Sequence, residues 1–131
     1  MRCLGPINAW RDERGTSAIE FAIVGPVFIA LVIGAIYLCM ALFALGSLHY
    51  AVEEGARCAS IQPTIGGVQQ CTSSTNIVSY TQGKYFGPST APTFTYAALT
   101  CGNSVSGSLN YVVNLGVKQV TVPMTATSCF P

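Results

Sequence analysis

Residues 14–48 read RGTSAIEFAIVGPVFIALVIGAIYLCMALFALGSL, and this stretch decides the fold. Within it, residues 21–46 form 26 consecutive positions without a charge. About 20 apolar residues in a helix are enough to cross a hydrocarbon core about 30 Å thick. The stretch therefore predicts a membrane-spanning helix rather than the core of a soluble domain.

The composition of the whole chain fits a small membrane-associated protein. Of its 131 residues, 50% are hydrophobic and only 8% are charged, and the net charge is +1. An ordinary soluble domain has about a quarter of its residues charged. The few Lys and Arg residues are scattered and form no basic stripe, so we expect no nucleic-acid partner. The part that follows Ala59 is about 70 residues long, which is marginal for a stable core without disulfides or other cross-links.

The leading edge of the apolar run carries one acidic residue, Glu20. A carboxylate in hydrocarbon is costly unless a partner neutralises it. If the chain were cut after Gly15, Thr16 would become the new amino terminus and Glu20 the fifth residue of the product. Positions one and five lie on the same face of a helix. The new ammonium and the carboxylate could then neutralise each other, within one subunit or between neighbours.

This pattern resembles the class III signal of type IV pilin-like proteins. There, a membrane aspartic peptidase cuts after a glycine that precedes a hydrophobic helix with glutamate as its fifth residue. The wider pattern is similar to the TadE-like family, small pseudopilins of the tight adherence (Tad) secretion and pilus machinery. The resemblance covers residues 11–60, and the segments that carry it are RG at 14–15, IEFA at 19–22, GP at 25–26 and EGARCA at 54–59.

The resemblance implies a minor pilin or pseudopilin subunit of a Tad (type IVc-like) pilus or secretion apparatus, which helps to initiate, cap or anchor the filament in adhesion. It implies four kinds of partner: the prepilin peptidase, other pilin and pseudopilin subunits, the inner-membrane assembly platform and membrane lipid. The residues that it assigns to processing and assembly are Gly15, Thr16, Glu20 and Phe21.

The distribution of arginines predicts the orientation. Three arginines precede the apolar run, whereas only Arg57 lies within about 15 residues after it, and cytoplasmic flanks carry the excess of Lys and Arg. We expect a single-pass protein of the bacterial inner membrane, with a cytoplasmic N-terminus and an extracytoplasmic head that reaches a surface pilus after processing. Two alternatives stay open. One is a permanent anchor that displays a binding head, and the other is a head released by an ordinary secretory signal, whose apolar region usually spans about 7–15 residues.

Gly25 and Pro26 interrupt the apolar run. A proline inside a helix removes a backbone hydrogen bond, and membranes tolerate this where neighbours satisfy the freed carbonyl. We predict a helix break here that lets a pilin-like subunit adapt as it leaves the bilayer for a filament. An ordinary proline of a membrane helix is the alternative.

The helix is predicted to continue past the apolar run as a stem that ends near Ile61. Small and apolar residues recur on one helical face at the expected spacing of three and four: Leu48, Val52, Gly55 and Ala59. Glu53 and Arg57 have the spacing of a favourable ion pair. We therefore expect a cytoplasmic leader (1–15), a transmembrane helix with its stem (16–61) and an extracytoplasmic head (62–131).

The head has the pattern of a small antiparallel sheet. Residues 94–97, 109–114 and 117–127 are rich in β-branched and aromatic residues, while 77–80 fits either a strand or a short helix. Pro123 indicates that the last strand lies at an edge or ends there. The predicted fold class is α+β: a long N-terminal membrane-spanning helix whose stem packs against a small antiparallel sheet.

Four cysteines fall in the stem and head: Cys58, Cys71, Cys101 and Cys129. An even number in a small extracytoplasmic head predicts two disulfides, for which three pairings are open. We favour Cys58–Cys71, which would tie the loop after the stem to the helix, and Cys101–Cys129, which would tie the end of the chain to the sheet. In the loop-entropy model, each disulfide should stabilise the head by about 3 kcal/mol. A zinc site is the alternative, but the head has no Cys-x-x-Cys pair and no histidine near these cysteines.

No catalytic constellation is evident in the sequence. After Asp12 there is no aspartate, and the acids beyond the apolar run are Glu53 and Glu54. His49, the one histidine, lies at the end of the run, and no nucleophile elbow or phosphate-binding glycine loop accompanies it. We expect a structural protein that is not an enzyme and uses no cofactor or metal.

Overall fold

The computed structural model describes residues 13–65, 68–88, 91–114, 116 and 118–131. Most of the predicted leader therefore lies outside the described residues. The described chain is α+β, which confirms the predicted fold class. Its elements are α1 (Glu13–Ile61), β1 (Thr64–Ile65), β2 (Val68–Gln69), α2 (Ser74–Lys84), β3 (Thr93–Leu99), β4 (Gly102–Asn114) and β5 (Gln119–Phe130).

The chain divides into two compact units, Met1–Ile36 and Tyr37–Pro131, and α1 contributes to both. In the first unit, every residue from 17 to 36 except Gly25 is exposed. Phe21 is 79% exposed although it is strongly apolar. Among the described residues, α1 is the one helix long and apolar enough to cross a membrane, over Ser17–Ile61. This single N-terminal apolar helix suggests a single-pass membrane protein.

The second unit, which we call the head unit, has a core that α1 helps to build. Small and branched residues on one face of α1 are fully buried: Ala44, Leu48, Ala51, Val52 and Ala56. Their spacing of three and four residues is that of a single helical face. The sheet contributes buried residues from all three strands: Phe94, Val105, Leu109, Tyr111, Met124 and Ala126. The small residues on α1 therefore let the sheet pack close to the helix.

The sheet is antiparallel, in the order β3-β4-β5. Gly107 lies in the central strand, opposite Phe94 on β3. A Cβ atom at Gly107 would come within 2.7 Å of the Phe94 ring and 2.9 Å of the Leu48 side chain, which is closer than such atoms can approach. β5 is an edge strand, as Pro123 predicted, and it continues past Pro123 to Phe130.

Two elements differ from the simplest interpretation of the sequence. Residues 77–80 belong to a helix, because Ser73 caps α2 by accepting a hydrogen bond from the Asn76 amide at 3.3 Å. The two-residue strands β1 and β2, which pair with each other, were not predicted. Strands this short have too few residues to show an alternating pattern.

Candidate functional site

The predicted cleavage site lies at the start of α1. Gly15 and Thr16 have helical backbone in its first turn, and their side chains lie outside the described residues. Glu20 and Phe21 follow one turn later and are exposed. The ion pair expected of Glu20 needs the amine that cleavage would create, so the uncut chain cannot form it.

Gly25 and Pro26, where the sequence predicts a helix break, lie inside α1. α1 runs from Glu13 to Ile61 with Pro26 inside it. Proline removes one backbone hydrogen bond, and the bonds of the neighbouring turns hold the helix together. Local melting at this position during extraction from a membrane stays a prediction.

Residues 54–58 of α1, EGARC, form the seat on which α2 and the end of β5 pack. A Cβ atom at Gly55 would collide with Thr81 of α2, whose Cβ and Cγ2 atoms lie 3.2 and 3.3 Å from that position. Thr81 is fully buried, and its hydroxyl donates to the Ile77 carbonyl at 2.7 Å. A glycine at position 55 therefore sets the close approach of the two helices.

Arg57 faces β5 from the same seat. Its guanidinium lies 5.8 Å from the centroid of the Phe130 ring and 3.8 Å from the Glu54 carboxylate. The partner of Arg57 is therefore Glu54, and the predicted pair with Glu53 is wrong. Both spacings are allowed on a helix, and the position of Phe130 favours the rotamer of Arg57 that meets Glu54.

A chain of hydrogen bonds ties the last turn of α1 to the sheet. Ser60 donates to the Phe130 carbonyl at 3.1 Å and accepts from the Asn103 amide nitrogen at 3.0 Å. The Tyr96 hydroxyl donates to the Asn103 side-chain oxygen at 2.6 Å. Sequence reasoning missed these hydrogen bonds because Ser60 lies far in sequence from Asn103 and Phe130. None of the residues involved belongs to a recognisable motif.

Two disulfides close the same end of the head unit. Cys58–Cys71 joins the seat to the segment after β2, and Cys101–Cys129 joins the turn between β3 and β4 to the end of β5. Their Cα–Cα distances are 5.8 and 6.3 Å, within the usual range. This is the pairing that the sequence favoured among three. Cys39, in the apolar run, is free and exposed.

The segment after α2 covers another part of α1. The Phe86 amide donates to the hydroxyl of Ser47 at 2.9 Å, and Ser47 is buried.

Within the described part of the chain, the buried Tyr85 hydroxyl has no hydrogen-bond partner. Burial raises the pKa of Tyr85 above its ordinary value of 10.0. These contacts bring together side chains suited to packing and hydrogen bonding. Within the described ranges, no group of three or more His, Cys, Asp or Glu residues could hold a metal ion.

The fold and these contacts define a class: a protein with one N-terminal helix able to span a membrane and a disulfide-bonded α+β head seated on the C-terminal part of that helix. Residues 15–57 match the model of a family described as TadE-like protein, which confirms the resemblance. The match begins at Gly15 and ends at Arg57, so it runs from the predicted cleavage site to the seat. A TadE-like segment suggests a protein associated with the Tad pilus, in a family that is structural rather than catalytic. No curated protein and no solved structure matches the chain.

Proposed function

We propose that the chain is a minor pilin or pseudopilin subunit of a Tad (type IVc-like) pilus or secretion apparatus. One observation carries the proposal: the TadE-like match includes all of residues 17–36, whose large apolar side chains nothing in the described chain covers. Such a surface needs lipid or other apolar helices around it. A pilus subunit has both in succession, first in the bilayer and then in the filament.

The proposed processing step is cleavage of the peptide bond after Gly15. It leaves an ammonium group on Thr16, and Glu20 lies one helical turn further along the same face. In a bundle of apolar helices, pairing of this ammonium with a Glu20 carboxylate, of its own or of a neighbouring subunit, sets the axial register. Phe21 belongs to the exposed apolar surface that packs in that bundle.

The partners follow from these steps. The prepilin peptidase cuts the chain in the inner membrane, the assembly platform moves it, and other pilin and pseudopilin subunits pack against residues 17–36. The head unit is held by its own core and two disulfides, so it can stay folded while the helix changes surroundings. A subunit with such a head suits a position where the filament is initiated, capped or anchored.

Two variants and a control test this function in cells that carry the machinery. Gly15→Leu should block cleavage and leave the full-length chain, because a side chain there obstructs the cut site. Glu20→Gln keeps the shape but removes the charge, and should abolish incorporation into sheared filaments. Gly83→Leu is the control, since Gly83 lies in α2 of the head unit, outside residues 17–36, and has open space around it. Normal cleavage of the Gly15 variant together with normal incorporation of the Glu20 variant would contradict the proposal.

A second candidate is an unprocessed single-pass anchor that displays an extracytoplasmic binding head. The helical backbone at Gly15 favours it, since α1 already begins at Glu13. Peptidases bind extended substrates, so this first turn would have to unwind before cleavage. The anchor predicts that residues 1–15 stay attached in the membrane and that the Gly15→Leu and Glu20→Gln variants behave like the natural chain.

A further inference from the structure

One face of the sheet packs on the core of the head unit, and we call the opposite one the outer face. Phe94, Gly107 and Ala126 form one row of the inner face and are buried. Their neighbours along each strand belong to the outer face, because successive side chains of a strand alternate. All six of these neighbours carry a hydroxyl group: Thr93, Thr95, Ser106, Ser108, Thr125 and Thr127. They form two rows across the three strands.

The two rows line an open cleft of about 230 Å³, which we call the trough. Gly107 lies between the rows, and its other side packs closely on Phe94 and Leu48 of the core. Neighbouring strands are about 4.8 Å apart, and alternate residues of one strand are about 6.8 Å apart. One ligand in the trough can therefore meet hydroxyl groups of two strands and of both rows. Because the lining residues belong to paired strands, their positions are more precise than those of loop residues.

The lining hydroxyls leave most of their hydrogen-bonding capacity to the solvent. The Thr127 hydroxyl donates to that of Ser106 at 3.1 Å. The other four hydroxyls have no hydrogen-bond partner within the described part of the chain, and all four residues are exposed. A Ser or Thr hydroxyl both donates and accepts hydrogen bonds. The trough therefore offers donors and acceptors side by side.

The strands that form the trough carry no charged side chain. Residues 93–99, 102–114 and 119–130 contain no Asp, Glu, Lys, Arg or His, whereas about a quarter of the residues of an ordinary domain are charged. A charged ligand would lose water in the trough without meeting an opposite charge. An apolar ligand would cover hydroxyl groups without pairing them, which is also unfavourable. The ligand that fits the trough is therefore neutral and rich in hydroxyl groups.

We propose that the trough is a binding site for a neutral oligosaccharide. Sugar hydroxyls donate and accept hydrogen bonds as the lining hydroxyls do, so they replace the water in the trough without leaving a polar group unpaired. The methyl groups of the lining threonines contact the C–H groups of the sugar rings. This site goes beyond the proposed function, because it gives the head unit a ligand of its own whether or not the chain is cut after Gly15.

Saturation-transfer NMR on the full chain tests the site. The chain is held in a detergent without a sugar headgroup, because such headgroups would compete for the trough. The probes are the neutral trisaccharides of glucose, mannose, galactose and N-acetylglucosamine, and the anionic trisaccharide of galacturonic acid is the charged control. Thr95→Val and Thr125→Val each remove one lining hydroxyl but keep the branched shape. Thr121→Val is the matched control, since Thr121 lies on the outer face of β5 beyond the trough.

We expect at least one neutral trisaccharide to bind saturably, and the trisaccharide of galacturonic acid to bind more weakly. Thr95→Val and Thr125→Val should each weaken binding of the neutral probe about fivefold, because each removes one hydrogen bond between neutral groups. Thr121→Val should leave the affinity unchanged. Thermal unfolding checks that each variant is folded, and Ser108→Ala replaces a trough variant that is not.

Four results would overturn the site. The first is that none of the neutral trisaccharides binds, and the second is that the charged probe binds as tightly as a neutral one. The third is binding that no trough variant weakens, since the sugar would then lie elsewhere on the chain. The fourth is a dimer, seen by light scattering, that the trough variants abolish, because the outer face would then seat a second copy of the chain. None of these results bears on cleavage after Gly15, which the N-terminal sequence tests separately.

Discussion

The two parts of α1 are alike in sequence and opposite in their surroundings. Residues 17–36 expose large apolar side chains, whereas residues 44–59 bury one helical face under the head. Leu31 is exposed, but Leu48 is fully buried. The head supplies an apolar environment for the second part of the helix. The first part has no such cover in the described chain.

The largest expected effect comes from removing both disulfides together, since these bonds stabilise the head but not residues 17–36. They close loops with sequence separations of 13 and 28 residues. Replacing Cys58 and Cys71 by Ser should cost about 3 kcal/mol, and replacing Cys101 and Cys129 should cost about 3.5 kcal/mol, because the longer loop has more entropy to lose. Urea unfolding in detergent micelles, followed by tyrosine fluorescence, measures both losses. A simultaneous loss of the helical signal of residues 17–36 would contradict the division.

Matched leucine truncations test the comparison most simply. Leu48→Ala removes a fully buried side chain and should destabilise the head by about 2–5 kcal/mol. Leu31→Ala removes an exposed one and should leave the unfolding of the head unchanged. The same urea titration measures both variants. Equal destabilisation by the two substitutions would show that residues 17–36 are covered by the head after all.

Glycine substitutions test the seat. Gly55→Ala places a methyl group against Thr81 and should cost about 1–3 kcal/mol, because the two helices must separate. Gly46→Ala is the matched control on the same helix, where nothing lies within 4 Å, and alanine there should stabilise by about 0.5–1 kcal/mol. Thermal unfolding gives the sign of each change. A neutral Gly55→Ala would show that α2 does not pack as closely as described.

The smallest expected effect concerns Tyr85. Tyr85→Phe removes a buried hydroxyl that has no partner among the described residues, and should stabilise the head by about 1 kcal/mol. Burial raises the pKa of Tyr85, so the folded head holds this proton more tightly than the unfolded chain does. Titration of Tyr85 therefore leaves the stability of the head unaffected below pH 10.0 and lowers it as the pH rises through the folded pKa of Tyr85. The Phe variant should lose less stability in that alkaline range, as measured by urea midpoints across pH.

Sequence reasoning works well where a pattern repeats and poorly where distant residues meet. The uncharged run and the spacing of Leu48 and Val52 predict α1, because a helix repeats its environment every three to four residues. The strands around Phe94 follow from β-branched and aromatic residues, although β4 begins earlier than predicted because polar residues such as Ser104 fit its pairing. The choice of Glu54 over Glu53 by Arg57 depends on where Phe130 lies, which only the folded sheet determines.

The candidate site shows the same limit. The residues around Gly15 and Glu20 carry their signal in their spacing along the chain, so a sequence is enough to propose them. The seat needs the position of Thr81, and the hydrogen bond of Ser60 needs the position of Phe130. Neither can be read from local patterns, because both join segments that are far apart in sequence.

The most direct test of the central claim is the intact mass and N-terminal sequence of the protein from native membranes and from sheared surface material. A pilus subunit whose apolar helix passes from lipid to filament should begin Thr16-Ser17-Ala18 in the sheared fraction. A chain that begins at Met1 and occurs only in the membrane would contradict cleavage after Gly15 and would favour the unprocessed anchor.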